Sequence, residues 1–160
     1  MRRKKYVREP FLVKRDIILR RLQKLQEYLQ ILRQLKRYSL QRFKSDPLFH
    51  GNAEKYLRLS MERIFDIGNH IISEYNLGKV ERYQDIFHKL GNKGILPEEL
   101  AQKLIPMAGM RNILVYEYLD IDLDRVFQVL HDELADIDIW VQSNNYGANG
   151  VLLIIGNNDV

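Results

Sequence analysis

Apolar and polar positions along the chain fall into helical periods. Ile18, Leu22, Leu25, Leu29 and Leu32 recur at spacings of four and three. This heptad-like stripe predicts a long helix over 13–43, suited to an antiparallel helix pair. The stretch "KSDPLFHGN" interrupts it, with Pro47 and Gly51 as breakers. A second helix is expected over 52–76, opened by Asn52 as N-cap and closed before Gly78. Leu57, Met61, Ile64, Ile71 and Tyr75 mark its buried side, and Glu62, Asp66, Asn69 and Ser73 form a polar stripe opposite. A short helix over 82–90 ends at "GNKG". Pro97 and two glutamates open the next, which runs to about residue 118 and is expected to kink at Pro106. Leu123, Val126, Leu130, Leu134, Ile137 and Val141 give a last apolar stripe, over 123–140. The fold class is therefore all-α, an antiparallel bundle of four to five helices.

The flanks read differently. Residues 1–12 are expected to form a basic flexible arm and 13–141 the helical domain. Residues 142–160 form a Gly/Asn-rich tail around one aliphatic run, readable either as a docked strand-like segment or as an extension.

Composition sharpens this picture in two ways. The 160 residues contain no cysteine, which excludes a disulfide framework and a thiolate zinc site. The apolar run "FLV" after the basic start is too short for a signal peptide, and no run approaches the length that spans a bilayer. A cytoplasmic protein without membrane contact is expected. The net charge of +4 hides an asymmetry. Residues 1–44 carry 15 Lys/Arg against 3 Asp/Glu, whereas residues 45–160 carry 10 against 18. The basic part can attract phosphates, or it can be a solvated helix face with a charged arm.

The densest polar cluster is "MRNILVYEYLD", residues 110–120. Arg111 and Asn112 open it, and Tyr116 and Tyr118 flank Glu117. Arg111 and Tyr118 are seven apart, roughly 20° from superposition on one helix face, and Asn112 and Tyr116 also share a face. Arg111 and Tyr116 are separated by roughly 140° on an ideal helix. They converge most easily if the helix frays near its end or if a cleft takes one group from each of two subunits. As purely structural groups, Arg111 would pair with an acid of a neighbouring helix, and the tyrosines would be interface aromatics.

Elsewhere the chemistry is sparse. His50, His70, His88 and His131 show no metal-ligand spacing, so no metal or other cofactor is expected. His70 follows Asp66 by four residues on the polar stripe of the second long helix. An Asp-His pair there would be a candidate base, and both residues are weak cleft candidates. "GNKG" lacks the spacing of a phosphate loop, and Asp120, Asp122 and Asp124 read as helix capping rather than a calcium loop.

The stretches "LRLSMERIFDIGNHII" and "YQDIFHKLGNKGILPEELAQKLIPMAGMRNILVYEYLDID" resemble the HepT-like proteins of the HEPN superfamily, over roughly residues 14–141. The family signature is Arg, four residues, His, one residue, Tyr. Here it reads Arg111, "NILV", Tyr116, Glu117, Tyr118, with tyrosine at the histidine position. The resemblance implies a toxin of a toxin–antitoxin system: a homodimer, able to join a larger hetero-oligomer, whose signature helices line a shared cleft. It implies a metal-independent ribonuclease acting on RNA, with Arg111, Asn112 and the residue at position 116 as the catalytic set. It also implies a nucleotidyltransferase antitoxin that transfers AMP to Tyr118.

The residues agree in part with that chemistry. Metal-free RNA cleavage needs a base for the 2′-OH proton and a cation for the phosphate charge. An arginine is always charged and presents a planar set of donors. A tyrosine has an ordinary pKa of about 10, so only roughly a thousandth is phenolate at pH 7. Tyr116 can orient a hydroxyl better than it can deprotonate one. A second reading therefore stands beside the nuclease: a catalytically impaired dimer that binds nucleotide or its partner without turnover.

Overall fold

The computed structural model describes residues 9–116 and 120–145. Seven α-helical segments and one π-helical turn make up the described chain: α1 (Glu9–Leu35), α2 (Leu40–Ser45), α3 (Pro47–Glu74), α4 (Tyr83–Asn92), α5 (Glu98–Tyr116), α6 (Leu123–Gln128), the π turn (Val129–Glu133) and α7 (Leu134–Asn145). The last three run on without a break, so the architecture is four long helices with α2 and α4 as short links. No strand occurs among the described residues. The all-α bundle expected from the periodicities is the fold.

The stripes predicted its core. Ile18, Leu22, Leu25, Leu29 and Leu32 of α1 are buried, as are Leu57, Met61, Ile64 and Ile71 of α3. Val126, Leu130, Leu134, Ile137 and Val141 close the core from the last helix. α3 packs on α1, α4 and α5, while α7 packs on α1 and α5. The four long helices thus form a ring in which α1 contacts chiefly α3 and α7 and stands diagonally from α5.

Two boundaries differ from the sequence reading. α1 ends at Leu35 rather than near Phe43, because Ser39 caps a new helix: its Oγ accepts from the Arg42 amide at 3.3 Å. Pro47 starts α3 instead of separating two helices. Asp46 is the N-cap, accepting from the Leu48 amide at 2.9 Å, and proline suits the first turn, where its missing N–H has no partner to lose. Gly51 and Asn52 consequently lie inside α3, and the Asn52 amide donates to the Leu48 carbonyl. α5 continues through Pro106.

At the flanks, α1 begins at Glu9 and α7 reaches Asn145. Residues 1–8 of the expected arm and 146–160 of the expected tail lie outside the described residues.

α4 is drawn close to both of its neighbours. A Cβ on Gly68 of α3 would collide with Cγ2 of Ile86 of α4. A Cβ on Gly91 of α4 would lie 2.9 Å from the Ala101 Cβ of α5 and 2.8 Å from Glu98 Oε2. The missing Cβ atoms permit these approaches, of mid-α4 to α3 at Gly68 and of the end of α4 to the start of α5 at Gly91.

The π turn holds His131. Its Nδ1 lies 2.8 Å from the Phe127 carbonyl and its Nε2 3.1 Å from the Lys36 carbonyl, tying the last helix to the C-terminal end of α1. No described helix is long and apolar enough to cross a membrane.

Candidate functional site

The signature arginine emerges near the C-terminal end of α5. That helix is built from a strong start, with Glu98 and Glu99 favourable to its positive end, and from a buried face of Leu100, Leu104, Met107, Met110 and Leu114. Arg111 follows Met110 and turns away from the core towards α4. Its Cζ lies 4.6 Å from the ring centroid of Tyr83 and 6.0 Å from that of Tyr116. Both are within cation–π range.

Tyr83 is itself anchored. Its ring stacks on Phe65 of α3 at 4.6 Å with an interplanar angle of 26°, and Phe65 packs on Phe87 at 5.8 Å. Phe65 and Phe87 are core residues, whereas Tyr83 is 36% exposed. An unbroken series of ring contacts therefore leads from the centre of the bundle to the guanidinium.

The hydrogen bonds of Arg111 are few. Nη1 donates to Asn112 Oδ1 at a long 3.4 Å, and Nε is buried without a partner. Among the described residues no carboxylate lies within salt-bridge distance, so the alternative structural pairing with an acid does not form there. Ring faces attract the cation but offer no acceptor in the guanidinium plane. Most of the in-plane donors consequently have no partner among the described residues.

Arg111, Asn112 and Tyr116 are thus gathered in one place. The helical wheel separated Arg111 from Tyr116 and favoured fraying or a second subunit to unite them. In the structure α5 stays helical to Tyr116 and the two approach within one chain, because both side chains are long. Tyr116 is 74% exposed. Tyr118 lies outside the described residues.

Asp66 and His70 sit elsewhere on the bundle. The Asp66 carbonyl accepts from Arg21 of α1, and its carboxylate accepts from Arg63 Nη1 at 3.4 Å. That face of α3 turns to α1, whereas Phe65 and Gly68 turn to α4. The Asp-His pair that the sequence allows does not form among the described residues, and His70 Nε2 is buried without a partner. Neither residue hydrogen-bonds to Arg111, Asn112 or Tyr116 among the described residues.

Tyr83 was missed by sequence reading. Its only local signal is its position at the start of α4, where Asp85 Oδ2 accepts from the Arg82 and Glu81 amides at 2.9 and 3.2 Å. The Arg82 amide, with a smaller contribution from the Glu81 amide, holds the Asp85 carboxyl below its ordinary pKa. The adjoining shallow cleft of about 300 Å³ is lined by Lys79, Glu81, Asp85, His88 and Lys89. Its charges are largely spoken for: Lys79 pairs with Glu81, and Lys89 Nζ donates to the Leu77 carbonyl. Among the described residues no three His, Asp or Glu side chains gather as a metal site would require.

Comparison with known proteins gives this geometry its context. The chain is similar to the tRNA nuclease HepT of Aphanizomenon flos-aquae, 35% identical over 131 residues, covering 81% of this chain and 89% of that protein. It is similar also to the mRNA nuclease HepT of Shewanella oneidensis, 28% identical over 79% of this chain and 94% of the relative. Among solved structures, a toxin–antitoxin with AMP-PNP superposes with a TM-score of 0.73 at 26% identity, covering 79% of this chain and 96% of that one. The tri-AMPylated Shewanella oneidensis HEPN toxin, solved in complex with MNT antitoxin, gives 0.72 at 27% identity, covering 79% and 95%. The profile of the Ribonuclease HepT-like family matches residues 7–143, from the start of α1 almost to the end of α7. With that match spanning every helix of the bundle and the signature arginine set at the end of α5, the chain belongs to the HepT-like ribonuclease family.

Proposed function

We propose that the protein is the toxin of a toxin–antitoxin pair, an RNA endonuclease that needs no metal, with Arg111 as the group that binds the scissile phosphate. The observation that carries this reading is the state of the Arg111 guanidinium. Its charge is met by aromatic faces, and among the described residues its one hydrogen bond is the long contact from Nη1 to Asn112, so the terminal Nη donors remain for a ligand. A phosphate with two free oxygens matches such donors two at a time. As the 2′-oxygen attacks, negative charge grows on those oxygens, and a cation already in place stabilises it. Asn112, hydrogen-bonded to Arg111, steadies the guanidinium or receives a ribose hydroxyl. Tyr116, exposed beside them, orients the attacking 2′-OH.

The active unit in this reading is a homodimer with two α5 helices facing one cleft. The basic residues of α1 stand diagonally from α5 and act at a distance, raising the local concentration of RNA. Regulation follows the relatives. A nucleotidyltransferase antitoxin would transfer AMP to Tyr118, and the added phosphate would compete for Arg111. Asp66 is tied to Arg21 of α1, and neither it nor His70 is given a role within one subunit.

The exposed tyrosine at the family's histidine position favours a second reading, a dimer that binds nucleotide or its antitoxin without turnover. Labelled tRNA incubated with the protein in EDTA separates the two. The nuclease reading expects cleavage by the wild type, none by Arg111→Ala, and faster cleavage by Tyr116→His. Equal inactivity of wild type and Arg111→Ala, with activity gained in Tyr116→His, would establish the binding module instead. Intact mass after incubation with ATP, magnesium and the antitoxin tests Tyr118, and an unchanged mass would remove the regulatory step.

A further inference from the structure

We infer that Tyr83 is a positioning residue for Arg111, fixing the guanidinium against the core without occupying its donors. The inference rests on the reading of Arg111 as the phosphate-binding group.

An arginine near a helix end has many rotamers and samples many orientations unless something holds it. A carboxylate would hold it but would take the same in-plane N–H groups that a phosphate needs. A ring face holds it differently. The quadrupole attracts the charge from above the plane and leaves the edge donors free. Tyr83 supplies that face at 4.6 Å. Tyr116 lies farther off at 6.0 Å and is itself mostly exposed, so it provides little restraint.

The Tyr83 ring can do this because it does not drift. Phe65 stacks beneath it, the Asp85 carboxylate secures the backbone at the start of its helix, and Gly68 leaves room for that helix to pack closely on α3. The Tyr83 hydroxyl has no part in the argument; the ring face carries it. Phenylalanine should therefore substitute, and an aliphatic side chain of similar bulk should not.

Two measurements test this on the full chain. The first is steady-state cleavage of labelled tRNA by wild type, Tyr83→Leu, Tyr83→Phe and Arg111→Ala, with thermal melting to verify folding. Loss of orientation acts on the transition state, so Tyr83→Leu should lower kcat about tenfold with little change in KM. Tyr83→Phe should recover kcat to within about twofold, since the quadrupole is retained. The second is the Arg111 Nε–H resonance by NMR. The Tyr83 ring current should place it upfield in wild type and Tyr83→Phe, and Tyr83→Leu should move it downfield.

Wild-type kcat in Tyr83→Leu beside an inactive Arg111→Ala would overturn the inference and leave the nuclease reading intact. Equal inactivity of wild type and Arg111→Ala would instead defeat the nuclease reading, and the resonance would then decide alone. An Arg111 Nε–H signal that does not respond to Tyr83→Leu refutes the positioning role in that case. Should Tyr83→Leu fail to fold, the same resonance in Tyr83→Phe decides, since a shift lost in that variant would also refute it.

Discussion

Arg33 and Arg111 are held by opposite means. At the seam between α1 and α7, Arg33 meets Asp138 fork to fork: Nε donates to Oδ2 at 3.3 Å, and Nη2 donates to Oδ1. The donors facing α7 are used, and the pair fastens two helices. At the corner between α4 and α5, Arg111 rests on the Tyr83 ring, touches no described carboxylate, and keeps a buried Nε without a partner. The same side chain is tied to a carboxylate in one place and rests on a ring in the other. What decides is the neighbour: a carboxylate competes in the guanidinium plane, and a ring does not.

The sharpest way to break the contrast is to remove each arginine in turn. Arg111→Ala should reduce RNA cleavage at least about a hundredfold, the scale of losing one charge-stabilising group. Its melting temperature should stay near wild type, because no described ion pair is lost. A large drop in melting temperature would make Arg111 a structural residue.

Next in size is the packing that builds the corner. Gly68→Ala would force a methyl group into Ile86, and overpacking of this kind costs about 1–3 kcal/mol. Chemical denaturation should show the loss, and cleavage should fall with it as α4 and Tyr83 are displaced. Wild-type stability would mean that α4 can move outward freely, and the corner would then be no fixed platform.

The pH dependence of the corner follows from Asp85. Its folded pKa lies below its unfolded value of about 3.9, so its contribution is complete above that value. The contribution is lost as the pH falls through the lower, folded value. Melting temperature should therefore fall below about pH 4, and Asp85→Asn should flatten that part of the profile. An identical acid limb in the variant would show that the carboxylate does not hold the start of α4.

The smallest effect belongs to the seam. Arg33 and Asp138 are partly solvated, and pairs of this kind contribute about 0.2–1 kcal/mol. Arg33→Ala should lower stability by no more than that and should not alter cleavage.

The seam and the corner also differ in how far the sequence announced them. The apolar stripes of α1, α3 and the last helix were legible because burial of one helix face imposes its period directly on the residues. The ends of α1 and α3 were less so. Ser39 and the Asp46-Pro47 pair carried start signals, but the apolar residues continuing past Leu35 masked the first, and a proline reads equally as a breaker. Arg111, Asn112 and Tyr116 stood out as a polar cluster, and likeness to the family gave them roles. Tyr83 did not stand out, because its contact with Arg111 joins different helices, which no local pattern records. The π turn around His131 was equally silent, since its extra residue leaves the apolar spacing helical.

The central claim is that Arg111 holds its donors open for a phosphate. Binding of a 2′-O-methyl RNA oligonucleotide tests it without turnover, because that strand lacks the attacking hydroxyl. Across a salt series, Arg111→Ala should raise Kd about tenfold and reduce the slope of log K against log salt by about 0.7, the share of one phosphate contact on a single strand, while Arg33→Ala changes neither. Equal affinities and equal slopes for wild type and Arg111→Ala would contradict the account.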